Sequence, residues 1–108
     1  MTIALTTTGR RTGLARTVTL YAFEDGDRLV VVGSLGGAVK DPAWAGNLRA
    51  DPRASVRQGK TEYAVRALEA EGTERDRLWQ LVSTAFPLYS TFQKRTNRVI
   101  PVFALTPA

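Results

Sequence analysis

The 108-residue sequence predicts an α+β fold: a small barrel or open barrel of about six short, mostly antiparallel strands, with two or three helices inserted. Three observations carry this reading. Short runs rich in β-branched and aromatic residues recur along the chain, glycine turns sit between neighbouring runs, and two stretches change from strand-like runs to helical spacing. The length suits one domain, residues 1–108, and no linker, repeat or low-complexity tract divides it.

Ile3-Ala4-Leu5-Thr6-Thr7-Thr8 reads as the first strand. A loop bracketed by Gly9 and Gly13 follows, then a second strand from Thr17 to Phe23. Asp25-Gly26 is a hairpin signal leading into Leu29-Val30-Val31-Val32, which is apolar on both faces and so is expected to be a central strand. After the flexible Gly33-Ser34-Leu35-Gly36-Gly37 turn, Asp41-Pro42 reads as an N-cap followed by proline at the first helical position. Trp44 and Leu48 share a face of that short helix, which Asp51-Pro52 ends. Ala54 to Gln58 and Thr61 to Leu68 form a hairpin across Gly59-Lys60. Thr73-Glu74-Arg75-Asp76 opens a second helix, close to a capping box but with Asp at the third turn position. Leu78, Val82 and Ala85 form its apolar stripe, with Trp79 and Phe86 beside it. Pro87 breaks the run and starts a new helical turn, and Ile100 to Leu105 is the last strand.

Composition excludes several chemistries. The chain has no cysteine and no histidine, which removes disulfides, thiolate catalysis, a Ser-His-Asp triad and His- or Cys-ligated metals. If the chain is an enzyme, a bound cofactor carries the difficult step and no metal site is expected. The net charge of +5 is uneven, with no acidic residue before Glu24 and none after Asp76. Electropositive ends fit either an anionic partner or a solvated basic face. No apolar run approaches the roughly 20 residues of a membrane span, and no signal peptide is visible, so the expectation is a soluble, cytoplasmic protein.

Four stretches are candidates for chemistry. Arg10, Arg11 and Arg16, unopposed by carboxylates in sequence, surround a glycine-bracketed loop that suits either an anion grip or a basic surface loop. Gly33-Ser34-Leu35-Gly36-Gly37 is neither a Walker loop nor a dinucleotide fingerprint, and brings Ser34 to the end of the third strand. Asp41-Pro42-Ala43-Trp44 opens a helix, with Asn47 one turn on. Phe86, Tyr89 and Phe92 recur every three residues, and only Tyr89 has a hydroxyl to donate. The paired acids of residues 24–27 and 69–76 read as solvated turn and cap residues.

"LTTTGRRTGLAR", "LVVVGSLGGAVKDPAWAGNLRADP" and "RTNRVIPVFALTP" together resemble the deazaflavin-dependent nitroreductase family, from about Leu5 to Pro107. The resemblance implies a split β-barrel that binds coenzyme F420, a hydride-carrying deazaflavin with a phosphate and oligoglutamate tail. By the same resemblance Arg10, Arg11, Thr12 and Arg16 grip the tail, and the strand Thr17, Val18, Thr19, Leu20 and Tyr21 lies along the ring. Val32, Gly33, Ser34 and the Leu35 backbone approach ring or tail. Ala43, Trp44 and Asn47 form the ring-side wall, and Tyr89 lines the pocket where substrate meets the ring. Ser34 and Tyr89 are the hydroxyls placed to polarise the acceptor or deliver a proton. Leu35 stands where the family often has Lys or Asn, and Phe86 and Phe92 stand where nitroimidazole-reducing members carry tyrosines. The expected activity is hydride transfer from reduced F420 to a small hydrophobic acceptor, quinone-like or nitroaromatic, by a monomer or homodimer. The alternatives are a non-catalytic F420 carrier, or a barrel that binds flavin mononucleotide. No nucleic-acid partner is expected, because most aromatics fall on helical segments rather than on exposed strands.

Overall fold

The computed structural model describes residues 1–38 and 40–108. In chain order the strands are β1 Thr2–Thr8, β2 Ala15–Tyr21, β3 Phe23–Asp25, β4 Arg28–Val32, β5 Arg53–Gln58, β6 Thr61–Glu69 and β7 Val102–Pro107. The helices are α1 Ala43–Ala50, α2 Gly72–Ala85 and α3 Leu88–Lys94, with a 3₁₀ turn at Leu35–Gly37. All strands form one antiparallel sheet in the order β2-β1-β5-β6-β7-β4-β3.

That order has a geometric consequence. β2 and β3 are opposite edges of the sheet, yet only Ala22 separates them in the chain. The sheet must therefore curl until its edges meet at Ala22, which is fully buried. The result is a split barrel, closed at this corner and open along the rest of β2.

Two cores fill the two sides of the curl. Inside, Ile3, Leu5, Val31, Val56, Phe103 and Leu105 pack around Trp44 and Leu48 of α1, with Trp44 edge-on to Phe103 at 5.8 Å between ring centroids. Outside, α2 and α3 cover Val30, Val102 and Ala104 with Leu78, Val82 and Tyr89.

The structure corrects several expectations. Among the described residues there are seven strands, because the run from Thr17 to Phe23 breaks at Ala22 to turn the corner. Leu29–Val32 is buried on both faces as expected, but β4 lies next to the edge strand β3; its outer face is covered by helix α2 rather than by central placement. Asp41 does not cap α1. Pro42 occupies the N-cap, and the Asp41 carboxylate accepts from Arg49 and Arg98, each at 2.7 Å. Two guanidinium partners outbid backbone N–H groups for that charge. Likewise α2 begins at Gly72 with no side-chain cap, while Glu74 is drawn to Arg28 and Arg77. No helix among the described residues is long and apolar enough to cross a membrane.

Candidate functional site

As an edge strand hydrogen-bonded to β1 alone, β2 leaves one row of backbone N–H and C=O groups without a strand partner. The loop before it and α1 bound the same space, a cleft of about 750 Å³, within the usual range of small-molecule sites. Along β2 it is lined by Arg16, Thr17, Val18, Thr19 and Leu20. Register explains which side chains turn inward: Arg16, Val18 and Leu20 pair with Thr7, Leu5 and Ile3, all buried. Opposite stand Leu35, Pro42, Ala43, Trp44 and Asn47, and the loop contributes Arg10, Arg11 and Thr12.

The three loop arginines are not equivalent. Arg10 is fastened to α1: its Nη1 donates to the Ala43 carbonyl and to Asn47 Oδ1, both at 3.1 Å. Its backbone N–H donates to the same Oδ1 at 3.2 Å, and Asn47 Nδ2 donates to Thr7 Oγ1 at 3.1 Å. Asn47 is 5 % exposed, and both ends of its amide are taken by the protein. The fastening needs Gly46, because a Cβ there would lie 2.8 Å from Arg10 Nη1. Among the described residues neither Arg11 nor Arg16 forms an ion pair or side-chain hydrogen bond, whereas Arg28, Arg49, Arg53, Arg77 and Arg98 are all paired with carboxylates. The loop's turn needs both glycines: Gly13 has φ +71°, and a Cβ on Gly9, which also lines the cleft, would meet Thr12 Oγ1 at 2.9 Å.

A second cavity of about 430 Å³ is lined by Tyr21, Phe23, Ala85, Phe86 and Tyr89. Tyr21 follows Leu20 on β2 but faces the other side of the sheet, so it belongs to this aromatic cavity and not to the main cleft. Tyr89 is 8 % exposed and sits edge-on to Phe86 at 4.8 Å and to Phe23 at 6.0 Å. Burial, with the nearby Tyr21 hydroxyl adding to it, pushes the Tyr89 phenol above its ordinary value. It is a neutral donor at physiological pH.

Ser34, Val32 and Gly33 do not line either cavity. Val32 pairs with Val102 and packs against the outer core. Gly33 is buried where a Cβ would strike Pro101 Cγ at 2.7 Å. The Ser34 carbonyl accepts from Arg98 Nη2 at 2.7 Å and from the Gly37 N–H at 2.8 Å. Sequence reading missed Thr7, Gly9 and Pro42 as lining residues. The alternation of β1 could have found Thr7, which is inward-facing with Ile3 and Leu5.

The split barrel thus carries an apolar-walled cleft, open at a free strand edge and flanked by guanidiniums without a carboxylate partner among the described residues, an arrangement that could hold a flat group with an anionic handle. The chain belongs to the F420H2-dependent quinone reductase family, whose model matches residues 1–107. It is similar to the F420H2-dependent quinone reductase Rv1261c of Mycobacterium tuberculosis, 37% identical over 107 residues that cover 96% of this chain and 72% of that protein. A solved structure of an F420H2-dependent reductase, FDR-A, superposes with TM-score 0.86 at 38% identity, covering 96% of this chain and 92% of the other. A pyridoxamine 5'-phosphate oxidase-like protein from Listeria innocua shares the fold alone, with TM-score 0.67 at 17% identity over 98% of this chain and 82% of that one.

Proposed function

We propose that this chain transfers a hydride from reduced F420, held in the β2–α1 cleft, to a small hydrophobic, quinone-like acceptor in the cytoplasm, working as a monomer or homodimer. Its family is F420H2-dependent, and the residues present fit that cofactor. The observation that carries the reading is the pairing of an apolar cleft wall with two guanidiniums that no carboxylate of the chain neutralises. Val18, Leu20, Leu35, Pro42, Ala43 and Trp44 give a flat ring apolar surroundings, and Arg11 and Arg16 give a polyanionic tail its counter-charge.

When bound, reduced F420 supplies the hydride, and the protein contributes position and electrostatics. The free edge of β2 offers backbone donors and acceptors to the rim of a ring lying along it. Arg10 holds the loop that carries Arg11 to α1 through Asn47, while Arg16 is fixed on β2 by its pairing with Thr7 of β1. Thr12 Oγ1 accepts from the Leu14 N–H at 3.2 Å and shapes the same loop. Tyr89, neutral in the aromatic cavity on the Tyr21 side of β2, is the candidate donor for an acceptor that reaches the ring from that side of the strand edge. Ser34 lines neither cavity, which makes its hydroxyl the weaker donor candidate.

The test is a titration comparing F420, flavin mononucleotide and nicotinamide nucleotides, followed by oxidation of reduced F420 with a menadione-type acceptor. Selective F420 binding with turnover is expected. Tight flavin mononucleotide binding without F420 binding would falsify the reading, and F420 binding without turnover over a broad acceptor panel would leave a carrier.

A further inference from the structure

The lip of the cleft facing β2 is described over residues 33–38 and 40–42, and the 3₁₀ turn Leu35–Gly37 is its internal structure. Leu35, Gly36 and Gly37 in succession hold φ of 43°, 63° and 82°, the left-handed region that costs most for Leu35. Beyond the turn's own hydrogen bonds, from Gly37 N–H to the Ser34 carbonyl and from Ala38 N–H to the Leu35 carbonyl, the lip is tied from outside. Arg98, in the segment between α3 and β7, sends its guanidinium into the loop: Nη2 donates to the Ser34 carbonyl, Nε to the Ala38 carbonyl and Nη1 to Asp41 Oδ1, each at 2.7 Å. Its side chain is only 13% exposed. Arg98 is itself held, because Gln93 Nε2 donates to its carbonyl at 2.7 Å and Gln93 Oε1 accepts the Ile100 N–H at 3.0 Å. The other oxygen of Asp41 accepts from Arg49 of α1, which reaches on to Glu69 of β6. One guanidinium therefore ties the start, middle and end of the lip to the chain that follows α3.

We propose that Arg98 is a positioning residue for the cofactor: it acts through the lip, holding Leu35, Pro42 and Ala43 at the distance from β2 that bound F420 requires. The proposal rests on F420 occupying the β2–α1 cleft. Arg98 does not line the cleft, and each of its three guanidinium nitrogens donates to a protein oxygen. The same fastening joins the lip to the helix that carries Tyr89, because Gly37 lies against α3, where a Cβ would come within 2.7 Å of the Phe92 carbonyl oxygen. A lysine at position 98 keeps one cation for Asp41 but cannot reach three acceptors at once.

Arg98→Ala, Arg98→Lys and, as a control that breaks an ion network elsewhere, Arg77→Ala are compared with wild type by F420 titration, melting temperature and amide hydrogen exchange of the ligand-free protein. Arg98→Ala is expected to weaken F420 binding about tenfold, through a lip that must be ordered on binding rather than through a lost ligand contact. Amides of residues 34–38 exchange about tenfold faster in that variant, while those of β1 and β5 do not change. At saturating reduced F420 its kcat stays within about twofold of wild type, since Arg98 touches no reacting atom. Arg98→Lys falls between the two, and Arg77→Ala lowers the melting temperature without altering F420 affinity or lip exchange. Wild-type affinity and lip exchange in Arg98→Ala, or equal loss of affinity in Arg77→Ala, overturns the proposal. A wild-type chain that takes up no F420 overturns the cleft reading and this proposal with it, and the wild-type titration tells the two failures apart.

Discussion

At the scale of single residues, the three arginines of the loop divide into one that builds the site and two that face it. Arg10 spends its donors on Ala43 and Asn47, while Arg11 and Arg16 have no carboxylate of their own. Replacing Arg11 or Arg16 with alanine is expected to weaken F420 binding by about 1.5–3 kcal/mol for each charge-assisted hydrogen bond lost. The melting temperature should barely move, and the loss should shrink as salt is added. Unchanged affinity in the double variant would contradict a tail site here. Gly46→Ala acts differently: its new Cβ displaces the Arg10 guanidinium, so thermal stability falls first and binding follows. Tyr89→Phe keeps the packing against Phe86 and Phe23 and removes only the hydroxyl. A drop in turnover with F420 affinity preserved identifies that hydroxyl as the donor. Most of the cleft-lining residues were legible in the sequence, but through the family resemblance; the local signal of unopposed arginines alone left an anion grip and a basic surface loop both open. The division of labour among the arginines was not legible, since it depends on Asn47, 37 residues away from Arg10.

At the scale of elements, the β3–β4 hairpin is riveted to α2 by four charged side chains. Asp25 accepts from Arg77 and Arg28, and Glu74 accepts from the same two. Hydrogen bonds from Arg77 and then Arg28 hold the Asp25 carboxyl far below its ordinary value, and Glu74 is lowered by the same pair. With folded values depressed, the unfolded chain binds protons more readily than the folded one below about pH 4, where free carboxylates titrate. Stability is therefore fully present above that pH and falls as the pH drops below it. Melting curves across the acid range should show this limb, and Asp25→Asn should flatten it. The lip behaves otherwise. Leu35→Asn, which tolerates the left-handed region, should raise stability by about 0.5–1 kcal/mol in denaturant unfolding. Gly37→Ala should destabilise by about 1–3 kcal/mol, having both a positive φ and no space beside Phe92. The hairpin turns at Gly26 and Gly59 were readable because they are two-residue chemistry. The helix starts were misread because distant guanidiniums claimed the capping carboxylates.

At the scale of the whole molecule, local patterning disclosed a barrel-like α+β architecture, and the split closure, which the fold bears out, came only through the family resemblance. Nothing local to Ala22 announces that the strands on either side of it belong to opposite edges of one sheet; that follows only from long-range pairing. β4 shows the same limit. Its two-sided burial was legible, but the outer cover is a helical layer drawn from residues 72–94. Phe103, buried between α1 and the sheet, joins strand and helix in the inner core, so Phe103→Ala should cost about 3–5 kcal/mol in denaturant unfolding. Finally, an uncovered strand rim is also a template on which another polypeptide can add itself. Protein stored without ligand should self-associate more readily than protein loaded with F420. Light scattering of matched samples would register the difference, and Arg16, at the start of that rim, would supply the charge that slows the process.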